Sequence, residues 1–145
     1  MPENYFALGP AIKQRIEACV DGLNAIYSPF SVEDMLKMNS ASPSVSVIWV
    51  DERVGEPVGR GRAGPVYQHW LVVFSIRDAS SQLQDTEAIR EKAAPFIKQL
   101  LNALNGFEPD VPGFEPLERI DAGVPPGSSA GFAYFPFLFK SQIFT

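Results

Sequence analysis

From Ala11 to Ile26 the apolar residues Ile12, Ile16, Cys19, Leu23 and Ile26 return every three or four positions, which predicts one face of a helix, with Pro10 suited to its first turn. A second, shorter helix is expected to start at Ser31. There SVED offers a hydroxyl cap and two carboxylates in the first turn, ahead of Met35, Leu36 and Met38. The pattern then changes period. Ser44 to Val50, SVSVIWV, is rich in β-branched residues and reads as a strand, and the next fifteen or so residues, DERVGEPVGRGRAGP (51–65), carry no periodicity and read as a long loop.

A second strand follows from Val66. Val66, Gln68, Trp70, Val72, Phe74 and Ile76 share one face, the better core candidate, and Tyr67, His69, Leu71, Val73, Ser75 and Arg77 share the other. Asp85 or Thr86 can cap a long helix with the stripe Ile89, Ala93, Phe96, Ile97, Leu100 and Leu104. Pro95 inside it predicts a kink near Glu91 or a later start, and Gly106 is the expected stop. A Pro/Gly-rich connection (106–130) then holds a short strand at Pro116 to Asp121 and a loop, AGVPPGSSAG. The last segment, Phe132 to Phe144, is apolar on both parities, which predicts a strand covered on both sides, with Pro136 at a bulge or an unpaired edge position. The resulting expectation is one α+β domain over 1–145: a mainly antiparallel sheet of about four strands against two or three helices, ordered α-α-β-β-α-β-β.

Composition narrows the class of function. Hydrophobic residues at 46% and charged residues at 20% are ordinary globular usage. A domain of this length buries roughly 68–70% of its unfolded surface, so a core forms without staples. The first residues lack the basic and apolar regions of a signal peptide, and no apolar run approaches the roughly 20 residues of a membrane span. A soluble cytosolic product without membrane partners is expected. The net charge of −5 argues against general binding to nucleic acid. That charge is uneven. Arg53, Arg60 and Arg62 share the first loop, whereas Glu108, Asp110, Glu115, Glu118 and Asp121 crowd the later connection, so the two patches either meet between copies or are each solvated.

Chemical equipment is sparse. His69 is the one histidine and Cys19 the one cysteine, on separate predicted elements, so neither a Cys-His nor a Ser-His-Asp arrangement is evident. His69 reads as a structural or interface residue, and Cys19 as a small buried hydrophobe. No zinc spacing is present, and Gly59, Gly61 and Gly64 lead into a strand without the Lys-Ser/Thr of a phosphate loop. No catalytic residue, metal or cofactor is assigned. Arg60 and Arg62 on glycine hinges suit either an arm that settles against a partner's carboxylates or a solvated tip. Phe137 and Phe139, with their aromatic neighbours, read as core or subunit contact rather than a base-stacking platform.

The order of phrases is informative in itself. A helical N-terminus, PSVSVIWVDE, a glycine-containing loop, QHWLVVFSIRDA, a helix, a GFEP break and a closing AGFAYFPFLFKSQI together resemble the tail terminator proteins of long-tailed bacteriophages, in the contractile-tailed form, from about residue 10 to 145. The resemblance implies an antiparallel sheet packed on helices and a homo-oligomeric, hexameric ring at the head-proximal end of the virion tail, assembled in the host cytoplasm. It implies a role without chemistry: capping the tube, stopping polymerisation and offering a surface for head or neck. Partners would be other copies of the chain, the tail tube protein, the sheath protein of a contractile tail, and neck or connector proteins. By position, the 51–65 loop would make subunit or tube contacts, through Arg53, Arg60 and Arg62. A different neck, connector or head-completion protein is the second reading, and a small ligand-binding or enzymatic domain the third.

Overall fold

The computed structural model of the chain describes residues 4–38, 41–57, 59, 64–77 and 86–144. Within these, the order is α1 (Leu8–Cys19), β1 (Ala25–Tyr27), α2 (Val32–Met38), β2 (Ser44–Val54), β3 (Val66–Arg77), α3 (Glu87–Leu104), β4 (Glu118–Ile120), β5 (Gly127–Ser129) and β6 (Phe132–Ile143). The strands form one sheet in the order β1-β2-β3-β6-β4, with β5 also pairing β6. The expected α+β class holds. The sheet is mixed rather than purely antiparallel, because β1 runs parallel to β2 while the other pairings are antiparallel.

The source of that parallel strand lies in the first predicted helix. Leu8, Ile12 and Ile16 are buried at one-turn spacing, but α1 stops at Cys19. Val20 is extended, and Gly22 has φ +85°, a left-handed value that a right-handed helix does not accommodate. Leu23 and Ile26 keep helical phase by coincidence and instead belong to the turn and β1. In α2 the expected cap is present: Asp34 N–H donates to Ser31 Oγ at 3.1 Å.

Three long strands make the centre of the sheet. β3 lies between β2 and β6, in unbroken register with β6 from Val66↔Ile143 to Arg77↔Phe132. β2 extends to Val54, so residues 51–54 are strand rather than loop, and a register shift between Trp49 and Asp51 makes Val50 the extra residue of a bulge. The first face read for β3 is the helix-covered one. Gln68, Trp70, Val72, Phe74 and Ile76 are buried there, and Phe74 stacks on Phe96 of α3 at 5.3 Å. The opposite face holds a second, smaller cluster of Met35, Ile48, Leu71, Val73, Phe132 and Tyr134. β6 is thus covered on this second side at Phe132 and Tyr134, whereas Leu138 further along is only half-buried there.

α3 runs through Pro95 without interruption. Pro95 is exposed, so the Glu91 carbonyl deprived of its partner faces water rather than the core. Thr86 is the helix cap residue but makes no side-chain cap bond, and Asp85 lies outside the described residues. Gly106, at φ +74°, follows the helix end as expected. The VPPGSSAG stretch read as loop contains β5, joined to β6 by a tight turn in which Ala130 (φ 51°) and Gly131 (φ 87°) are both left-handed, as in a type I′ hairpin. Pro136 sits opposite Val73, between the spans paired to β4 and β5, so its missing N–H falls at an unpaired edge position.

Candidate assembly surface

The face of the sheet away from α1 and α3 is organised in rows across the strands. Ile48, Leu71, Leu138 and Ile120 stand opposite one another on β2, β3, β6 and β4. One step along, the registers align Asp51, His69, Lys140 and Glu118. An apolar row therefore runs beside an ionic one. The apolar row is part of the lining of a groove of about 640 Å³, bordered by Phe30, Val32, Val50 and Val124. Phe30 is 88% exposed although it occupies the position before the α2 cap, where a hydrophobic staple would fold it back toward Met35.

The ionic row is nearly self-compensating. Arg53 Nε donates to Asp51 Oδ2 at 3.0 Å, and Lys140 Nζ lies 3.7 Å from Glu118 Oε2 and 4.9 Å from the Tyr67 ring centroid. His69 Nδ1 is 3.1 Å from Asp51 Oδ1, a close approach rather than an aligned hydrogen bond, since that oxygen has no hydrogen-bond partner. Burial pushes the His69 pKa down. Asp51 acts against that shift, while the Arg53 and Lys140 cations reinforce it. A lowered pKa makes the neutral imidazole the dominant form at pH 7, so the contact to Asp51 is polar rather than a full ion pair.

The helix-side face at the end of β2 is held by the N-terminal segment. Tyr5 O–H donates to Glu52 Oε1 at 2.6 Å, Gln68 Nε2 to the Tyr5 carbonyl at 2.6 Å, and Trp70 Nε1 to Gln68 Oε1 at 3.0 Å. Burial first, then the Glu52 carboxylate, raises the Tyr5 pKa. This network satisfies Gln68, the one long polar side chain in the core-facing row of β3.

The residues singled out in the sequence divide clearly. Arg53 is exposed at the end of β2, and His69 joins it through Asp51, so two predicted contact residues share one cluster. Arg60 and Arg62 lie outside the described residues. Phe137 is half-buried, with the Arg119 guanidinium 5.1 Å from its ring centroid. Phe139 is corrected: it is 0% exposed within the helix-side core and has no surface to offer a partner. Its parity on β6 places it on the helix-covered face, opposite Trp70, and aromatic composition alone does not separate core from contact. Cys19 is half-buried against the same core. Sequence reading missed the Asp51–His69 pairing because the bulge at Val50 shifts the faces of β2. It also missed Phe30, whose signal was a large aromatic directly before a helix cap.

Among the described residues no three His, Cys, Asp or Glu side chains gather as a metal-binding group, and no helix is long and apolar enough to cross a membrane. The surface is suited to packing, edge pairing and charge matching.

The domain is thus a mixed sheet with one face under helices and the other carrying an open groove. The profile of the phage tail terminator protein family matches residues 1–145, and the chain belongs to that family. Among solved structures, the chain is similar to one from the "Virion of native gene transfer agent (GTA) particle", with a TM-score of 0.59 and 15% identity over 94% of each chain. That likeness shows a shared fold. No curated protein sequence matches. The chain is a structural protein of the phage virion, located in the tail and associating with other virion proteins.

Proposed function

We propose that the protein forms a homo-oligomeric ring, of six copies, that caps the head-proximal end of the tail tube, stops its polymerisation and presents the surface on which the neck or head docks. The observation that carries this reading is the family match along the whole chain. The surface chemistry supports it: exposed apolar residues rim a groove, charges alternate beside it, and residues 51–54 leave β2 with an exposed edge. The partners are further copies of the chain, the tube protein, the sheath protein where the tail contracts, and a neck or connector protein. Arg53, Arg60, Arg62, His69 and Phe137 are the proposed contact residues. The role requires no catalysis, metal or cofactor.

The test is imaging of tails assembled with and without the protein. The expected result is a ring density at one end of tubes of uniform length, and overlong tubes in its absence. Tubes of unchanged length without the protein, or its absence from tube ends, sink the proposal. Density within the neck, away from the tube end, would assign the chain to the second reading, a connector or head-completion subunit.

A further inference from the structure

We infer that neighbouring copies join edge to edge, the free edge of β2 in one copy pairing antiparallel with the free edge of β4 in the next, with Arg119 opposite Glu52 and Glu118 opposite Arg53. The inference rests on the ring reading and specifies the seam within it.

β1 covers the outer edge of β2 at Ser44 to Ser46, so that edge is open only beyond it, whereas β4 ends the sheet on the other side, and the hydrogen-bond parity shows which groups the two free stretches offer. Gly55 N–H donates to the Pro65 carbonyl, which continues the Val54↔Val66 register and turns the backbone groups of Glu52 and Val54 away from β3. At the other side of the sheet, Glu115 N–H donates to the Gln142 carbonyl and Phe144 N–H to the Gly113 carbonyl, so even-numbered residues of β6 face β4. Glu118 and Ile120 therefore bond to β6, opposite Lys140 and Leu138, and the Arg119 N–H and C=O point outward. Leu117 is already engaged, donating to Phe107 and accepting from Gly106, so the free edge begins beyond it. The bulge at Val50 blunts the upper part of the β2 edge but leaves Asp51 to Val54 regular.

Polarity, face and charge then agree on one register. Successive antiparallel pairings make β4 run opposite to β2, so a sheet continued from copy to copy brings these edges together antiparallel without inverting either molecule. Glu52 stands opposite Gln68, and Arg119 opposite Phe139, both in the helix-covered rows, so the two side chains emerge on the same face. Pairing Arg119 with Glu52 places Glu118 against Arg53 on the other face. Both cross-strand pairs are opposite in charge, whereas a parallel seam centred on the same two residues would set Glu118 against Asp51. Among the described residues, Arg119 makes a cation–π contact with Phe137 but no carboxylate contact, leaving its charge available. The two complementary edges lie on opposite sides of the sheet, the arrangement of a head-to-tail interface that closes as a ring when the rotation permits.

The test combines charge reversal with cross-linking in the full chain. Arg119→Glu and Glu52→Arg, each checked for an unchanged thermal melt, should weaken self-association at least about tenfold, and the double variant should restore most of it. In a Cys19→Ser background, Glu52→Cys with Arg119→Cys should give a ladder of covalent oligomers on oxidation, because directly paired strands hold Cα atoms within disulfide reach. Association that is indifferent to both reversals, a double variant no better than the singles, or no ladder overturns the seam while leaving a ring intact. A wild type that neither associates nor caps tubes overturns the ring and the seam together.

Discussion

Phe139 and His69 show how far a single residue's position decides its use. Phe139 is fully buried in the helix-side core, so Phe139→Ala should cost about 3–5 kcal/mol in urea denaturation through lost burial and the cavity left behind. A loss below about 1 kcal/mol would return it to the surface. His69 predicts a pH dependence whose sign follows from its lowered pKa. The folded state resists the proton that the unfolded chain accepts, so the contribution is fully present above the unfolded value near 6.5 and is lost as pH falls below it toward the folded value. Wild type should therefore lose more stability between about pH 7 and 5 than His69→Gln, measured by denaturation across that range. Parallel curves would remove His69 from the effect.

At the scale of elements, Pro95 and the first helix are instructive. Local rules placed a kink near Glu91 or a later helix start; α3 instead starts at Glu87 and runs on through Pro95, because its buried side is carried by Ile89, Ala93 and Leu100 while Pro95 faces water. Pro95→Ala should restore a helical hydrogen bond and raise the urea midpoint, by up to about 3 kcal/mol of stability. An unchanged or lower midpoint would mean that the ring of Pro95 contributes packing of its own. In the first helix the pattern was legible as far as Ile16, and the error began where Leu23 and Ile26 kept phase across the Asp21-Gly22 turn. β4 was found from its sequence, but β5 was not. Its residues, Gly127 to Ser129, have little strand propensity and pair only because the Ala130-Gly131 turn folds them onto β6.

Across the whole molecule, the two faces of the sheet have different work. The helix-side face is a closed core, and the other face carries apolar and ionic rows that meet solvent at both edges. Because the exposed pairs there are screened by salt, assembly driven by charge matching should weaken as ionic strength rises while folding stays nearly unaffected. Sedimentation and thermal melts over about 0.05–0.5 M salt would check this. Equal association across the range would assign the interface to the apolar groove around Phe30 instead.

The amino-acid sequence determined the α+β class, the three long central strands, the helix-facing parity of β3 and the poverty of catalytic groups, because periodicity and residue chemistry are local properties. Its order of phrases also pointed to the family. Only the tertiary structure decided which apolar parity of β6 lies under helices, that β1 pairs parallel, and that Asp51, His69, Lys140 and Glu118 line up across four strands. Register between distant strands, and a bulge that reverses the facing of β2, arise from pairings between segments far apart in the chain, and no local window carries them.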